Sequence, residues 1–327
     1  MGTEPDLSQT TRRFSILANA AAGDKPRSWR AAKIAGAFSF ARRWCLVATG
    51  GRTGDAGSLG EKINQGGTAD IHAWAPGQVV KLFKEGFPLR LGQQEARMTQ
   101  AVFAAGVPAP EVFGEVTLDG RFGIVLGRLD GPTLLQVTRS GAVTFAQAGA
   151  ILASLGLSVH RMSPPQEAFH LRGWMDTAFR LSGDIVPKRI ASGILALIDR
   201  LQQPGDGLCH GDIHPENVIM TADGPRLIDW TFSIRAPAAL DHGFTHISLT
   251  EFALDVTDNP QRPLAVNAAA QSEYARLSGK PVATLRQAMK TWLPIAIVRY
   301  FLLMGGPTSE RWRRMMQRAE AALRPQD

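Results

Sequence analysis

The 327-residue sequence predicts an α+β chain in two lobes, a small antiparallel sheet with one helix preceding a mainly helical remainder. Three observations carry this. Between residues 60 and 126, short apolar runs alternate with Gly- or Pro-containing turns and are interrupted by one helical stretch. From residue 145 onward, apolar residues recur at three- and four-residue spacing. Between two helical stretches lies an apolar hairpin, within residues 208–230, whose ends carry two aspartates and one asparagine.

Residues 1–58 are rich in Ala, Gly, Ser, Thr and Arg and offer little apolar surface to offset the entropy of ordering. They are predicted to be a disordered extension, dispensable for folding and activity. The alternative is a basic helix over residues 30–48 at a membrane surface or in targeting, but Arg42 and Arg43 split its apolar side.

Residues 59–131 are predicted to form the small lobe and its exit. Two strands flank Gly66-Gly67-Thr68, where bare backbone would let N–H groups approach phosphate oxygens. A simple hairpin turn is the other reading of the glycine pair. Residues 78–83 read as the next strand, with Lys81 set among apolar neighbours. A lysine so placed needs partners or an edge position from which to reach solvent. Lys84 is its nearest rival. A helix follows over residues 90–105, with Glu95 in its first half. Two strands, 111–116 and 123–126, then surround Asp119-Gly120.

Residues 132–327 are predicted to be the helical lobe. Ile151, Leu155 and Val159, with Leu152 beside them, mark a buried helix over residues 145–162. His160 at its end either caps carbonyls or faces the core and is given no catalytic role. Further helices are expected around 174–181 and 191–201, with Trp174 and Phe179 in the core. Residues 292–304 are apolar enough to be buried. Arg311, Arg313, Arg314 and Arg318 read as a solvated helix face.

The chemistry lies in the hairpin. Pro215 keeps the segment between Asp212 and Asn217 out of regular structure. Two short strands, 218–220 and 226–228, flank a turn at Ala222-Asp223-Gly224-Pro225. Such a hairpin returns Asp229 to Asp212 and Asn217. Two carboxylates and an amide oxygen then converge, a hard-oxygen set suited to Mg²⁺ carrying phosphates. An Asp, an Asn five residues on and a later Asp is the spacing of phosphoryl-transfer sites.

His210-Gly211-Asp212 with Asn217, followed by Ile228-Asp229-Trp230, resembles the aminoglycoside phosphotransferase and choline kinase-like family of small-molecule kinases. The resemblance implies a protein-kinase-like fold with ATP between the lobes. It further implies Asp212 as the catalytic base, Asn217 and Asp229 as the Mg²⁺ ligands, and Lys81, paired with Glu95, on the ATP phosphates. The turn at Gly66, Gly67 and Thr68 would cover those phosphates. Gly127 and Leu129 would offer the hinge carbonyl and amide to adenine, unless this stretch is a plain strand exit. Asp241 resembles the family's structural aspartate, although a helix N-cap would explain it nearly as well. Beyond residue 260 the resemblance is weak.

The acceptor is expected to be a small molecule bearing a hydroxyl, cationic or neutral rather than anionic. Residues 236–260 hold Asp241, Glu251, Asp255 and Asp258 and no Lys or Arg. A non-catalytic nucleotide-binding regulator or an atypical protein kinase are the alternatives. Against the latter, Asp241 follows Asp229 at an offset of only twelve and no Ala-Pro-Glu follows.

The totals agree with this reading. A hydrophobic fraction of 44% fits a globular protein, and no run of eighteen apolar residues suggests a membrane span. Cys45 and Cys209 form neither a metal-ligand pattern nor a disulfide framework, and the cytoplasm is the simplest compartment. Of the net charge of +7, residues 1–58 carry +5, from nine Lys or Arg against four Asp or Glu. A nucleic-acid partner is therefore not predicted. No oligomeric state follows from the sequence.

Overall fold

A computed structural model describes residues 59–201, 207–253, 257, 259–304, 306 and 309–324. The predicted N-terminal extension lies outside the described residues.

Strands β1 (Lys62–Gln65), β2 (Ala69–Ala73), β3 (Gln78–Phe83), β4 (Val112–Leu118) and β5 (Arg121–Gly127) form one antiparallel sheet in the order β1-β2-β3-β5-β4. The centre falls to β3 because Val80, Leu82 and Phe83 are all buried, an apolar run that only an inner strand can accommodate. Lys81 interrupts that run, opposite Ile71 of β2 and Ile124 of β5. An edge position with escape to solvent is therefore excluded. Lys84 falls just past the strand. The β4–β5 turn is tighter than predicted, because Asp119 (φ 49) and Gly120 (φ 75) both adopt left-handed backbone, and so the strands extend to Leu118 and from Arg121.

Helix α1 (Leu89–Ala104) crosses between β3 and β4. One side lies close on the sheet: a Cβ at Gly92 would stand 2.6 Å from the Phe122 ring. On its other side, Met98 and Val102 share a core with Leu134, Leu152, Val218, Leu227 and Trp230. The helix is thus wedged between the sheet and the helical lobe. Complete burial of each such side chain stabilises the fold by about 1.5–3 kcal/mol.

The remainder contains α2 (Leu134–Arg139), α3 (Phe145–His160), α4 (Leu171–Ser182), α5 (Lys188–Leu201), α6 (Ala238–Ile247), α7 (Gln261–Ser278), α8 (Val282–Leu303) and α9 (Glu310–Ala321). Thr133 and Thr144 start α2 and α3 with capping boxes closed by Gln136 and Gln147, each cap contributing about 1 kcal/mol. A second core joins Leu240 and Phe244 of α6, Trp292, Ile295 and Phe301 of α8, and Trp312 and Met315 of α9. Trp174 and Phe179 pack against it, as predicted. Arg313, Arg314 and Arg318 of α9 are exposed, as predicted, and the face also makes contacts: Arg313 pairs with Glu310, Arg318 with Glu251, and Arg311 lies 5.3 Å from the Phe252 ring centre. No helix among the described residues is long and apolar enough to cross a membrane.

Candidate active site

The loop carrying Asp212 leaves β6 (Leu208–Cys209), which pairs with β9 (Ile234–Arg235). Its first two amides, those of His210 and Gly211, each donate to the Asp241 carboxylate at 2.7 Å. Asp241 lies in the first turn of α6, but Pro237 is the N-cap, so Asp241 holds the loop and is not the cap. The His160 Nε2 completes its partners at 3.0 Å. Burial opposes the charge on Asp241, yet His160 and these amides outweigh it and hold the carboxyl below its ordinary value. Helix α3 ends at His160, two residues before the predicted 162, and this histidine has a specific role behind the loop.

Gly211 has φ 86, and a Cβ there would stand 2.2 Å from the Phe232 carbonyl oxygen. No other residue fits between His210 and Asp212. The His210 ring is buried. Its Nδ1 accepts from the Asp212 amide at 3.2 Å, so the proton sits on Nε2, which donates to the Ile228 carbonyl at 3.1 Å. Burial holds this ring neutral by lowering its pKa. One imidazole thus links the Asp212 backbone to the residue preceding Asp229.

Pro215 opens a 3-10 turn that ends at Asn217. The Asn217 Nδ2 reaches back to the Asp212 carbonyl at 2.9 Å and its Oδ2 at 3.2 Å. Strands β7 (Val218–Thr221) and β8 (Gly224–Leu227) form the predicted hairpin, with Val218 opposite Leu227. The Ile228 amide then bonds the Asn217 carbonyl at 2.9 Å. Asp229 follows in left-handed backbone, φ 65 and ψ 73. Its Oδ1 lies 2.7 Å from the Thr231 hydroxyl and 3.3 Å from the Lys81 Nζ.

Lys81 bonds the Glu95 Oε1 at 2.5 Å, as the resemblance implied. Burial alone would discharge the lysine, but Asp229 and Glu95 overcome it and raise its pKa. Glu95 feels burial most strongly and is pushed up despite Lys81. For Asp229 burial works upward, and Lys81, the Thr231 hydroxyl and His210 outweigh it. His214 Nε2 lies 3.4 Å from Asp212 Oδ2; burial opposes its charge, but Asp212 prevails and raises the imidazole pKa.

The fold therefore brings Lys81, Glu95, Asp212, Asn217 and Asp229 together. Strand β3 relates the remaining predicted residues. Gly127 lies opposite Gln78 at one end, and the Gly66-Gly67-Thr68 turn adjoins the Ala69–Phe83 pair at the other. Neither Gly66 nor Gly67 needs positive φ, and the space beside Gly67 is open. The Leu129 amide makes no hydrogen bond to any described residue. Side-chain donors suit a hard cation: Asp229 Oδ2 and Asn217 Oδ1 accept no hydrogen bond among the described residues, and the Asp229 side chain is 36% exposed.

The charge argument for the acceptor loses two of its four carboxylates. Asp241 is buried behind the loop, and Glu251 is paired with Arg318, which enters from a distant helix. Asp255 and Asp258 lie outside the described residues.

The profile of the phosphotransferase enzyme family matches residues 71–280. Among solved structures, a candidate fructosamine-3-kinase of Haemophilus somnus 129PT aligns over 90% of this chain and 98% of its own, at 11% identity and a TM-score of 0.56. The ADP-bound aminoglycoside phosphotransferase APH(2'')-Ib aligns over 82% and 92% respectively, at 14% identity and a TM-score of 0.50. These likenesses identify the fold as protein-kinase-like, with a small antiparallel lobe and a mainly helical one. No curated protein matches the chain.

Proposed function

Since the chain belongs to the phosphotransferase enzyme family, we propose that it is an ATP- and Mg²⁺-dependent kinase acting on a hydroxyl of a small molecule. The observation that carries this reading is the convergence of Asp212, Asn217 and Asp229 beside the buried Lys81–Glu95 pair, with two side-chain oxygens left open. Asn217 and Asp229 would hold Mg²⁺, which when bound supplies charge neutralisation on the phosphates. Lys81, held by Glu95, adds a fixed positive charge there, and the Gly66-Gly67-Thr68 turn covers the phosphates with backbone amides. Gly127 and Leu129 receive adenine at the other end of β3.

In the transfer step the acceptor oxygen bonds to the γ-phosphorus and the bridging bond to ADP breaks. Asp212 takes the hydroxyl proton, and ADP leaves with the bridging oxygen. Asn217 and His214 orient the Asp212 carboxylate from its own loop. A small acceptor is favoured over a peptide because residues 230–237 pass directly through a 3-10 turn and β9 into α6, leaving no activation-length loop. Its cationic or neutral character now rests on Asp212 and Asp229 themselves.

The test is an ATP titration with the full chain in Mg²⁺ and in EDTA. Markedly tighter binding in Mg²⁺ is expected; equal affinity in both, or none in either, overturns the site. A panel of hydroxyl compounds assayed for ADP release, comparing amino alcohols with hydroxy acids, then identifies the acceptor class.

A further inference from the structure

Thr231 is the second residue after Asp229 and is 6% exposed. Its hydroxyl lies 2.5 Å from Glu95 Oε2 and 2.7 Å from Asp229 Oδ1. Glu95 belongs to α1, 136 residues earlier in the chain. One side chain of the helical lobe therefore touches both carboxylates that flank Lys81.

Each contact answers a local need. Lys81 occupies Glu95 Oε1, and the Thr231 hydroxyl is the partner of Oε2. A buried carboxylate oxygen without a donor is costly. Asp229 sits in left-handed backbone, which is strained for a residue with a Cβ, and such a conformation persists only when its surroundings hold it. The bond from Thr231 back to the Asp229 side chain supplies one such hold. A hydroxyl has one hydrogen, so it donates to one carboxylate at a time. With both acceptors within reach, donation passes between them by rotation of the O–H alone.

We propose that Thr231 is a positioning residue that couples the small-lobe helix to the metal-holding aspartate. Its hydroxyl holds Asp229 through Oδ1, leaving Oδ2 to face a cation, and keeps Glu95 Oε2 within hydrogen-bond reach. This rests on the reading of Asp229 as a metal ligand.

Thr231→Val keeps the shape and removes the hydroxyl; Thr231→Ser keeps the hydroxyl. The dissociation constant of ADP is measured for each protein in Mg²⁺ and in EDTA, with hydrogen exchange over residues 89–104 in the nucleotide-free protein. In Thr231→Val the tightening by Mg²⁺ is expected to shrink by about 10–100-fold, the usual effect of losing a group that orients a metal ligand. Affinity in EDTA should change by less than the Mg²⁺ tightening does, and exchange in the helix rises. Thr231→Ser should behave like the wild type in all three. If Thr231→Val does not fold by circular dichroism, Thr231→Ala is read with the same expectations. Full Mg²⁺ tightening in the hydroxyl-free variant, or an equal loss in Thr231→Ser, overturns the positioning role while the kinase reading stands. Absence of Mg²⁺ tightening in the wild type instead overturns the kinase reading.

Discussion

Asp212 and Asp241 stand on opposite sides of the same loop and show what surroundings do to one side chain. Asp241 is 1% exposed and takes two loop amides and His160. Three fixed donors hold it, and its burial keeps it from a substrate. Asp212 is 18% exposed and, among the described residues, is steadied by its own loop through Asn217 and His214. A carboxylate saturated by fixed donors bolts the backbone; one with lone pairs facing the cleft is free for proton transfer. Two buried cations repeat the contrast. Lys81 is matched to Glu95 and Asp229. Arg299 lies 4.9 Å from the Trp174 ring centre and 5.2 Å from that of Phe244, donates to the Phe232 carbonyl at 2.7 Å, and pairs with no carboxylate among the described residues. Burial lowers its pKa to about 10, so it stays charged.

The sharpest way to break this comparison is Asp212→Asn. Loss of the base should reduce phosphotransfer by about 10²–10⁴-fold. Nucleotide affinity and unfolding midpoint should hardly change. Turnover near the wild-type rate would remove Asp212 from the chemistry.

Behind the loop the effects should reverse. Asp241→Ala leaves three donors without an acceptor and should destabilise the protein by about 3 kcal/mol or more, at about 1–3 kcal/mol per buried group. Urea denaturation reads this directly. A fully stable Asp241→Ala with normal unfolding would mean that the loop holds itself.

Arg299→Met is the smaller structural test. Loss of the charged hydrogen bond should lower stability by about 1.5–3 kcal/mol, less any desolvation relieved by removing the buried guanidinium. Substrate-saturated turnover should remain close to wild type. A selective loss of turnover would put Arg299 on the functional side of the comparison.

The smallest effect is in pH. His242 adjoins His160 and Tyr274 behind the same loop, with Asp241 and Lys280 also acting on it. Burial pushes its pKa down to about 3. The unfolded chain therefore binds the proton first as pH falls below about 6.5. Stability should decline from there toward pH 3, by at most about 1.4 kcal/mol per pH unit from this group. His242→Gln should show a shallower slope over the same window. Asp241 adds its own loss as pH falls from the unfolded aspartate value of 3.8 toward its depressed value.

Much of this was legible in the sequence because it is local or repetitive. The strand at Gln78–Phe83 follows from a short apolar run and α1 and α3 from helical spacing, and their ends fell within one or two residues of expectation. Asp212, Asn217 and Asp229 lie within eighteen residues joined by one hairpin, so their meeting could be reasoned from turn chemistry. Lys81 and Glu95 were paired through family resemblance.

What stayed hidden depends on contacts between distant segments. Thr231 gives no local signal, since its acceptor Glu95 lies in the other lobe. Arg318 neutralises Glu251 from 67 residues away, which sequence charge counting over residues 236–260 could not include. Arg299 lies in an apolar stretch whose burial was expected, but not the burial of its charge. Hydrophobic pattern and turn residues determine which elements form and which chemistry they carry. Only tertiary packing decides which charges are cancelled, because cancellation requires two groups to meet within a few ångströms, and chain spacing does not encode that distance.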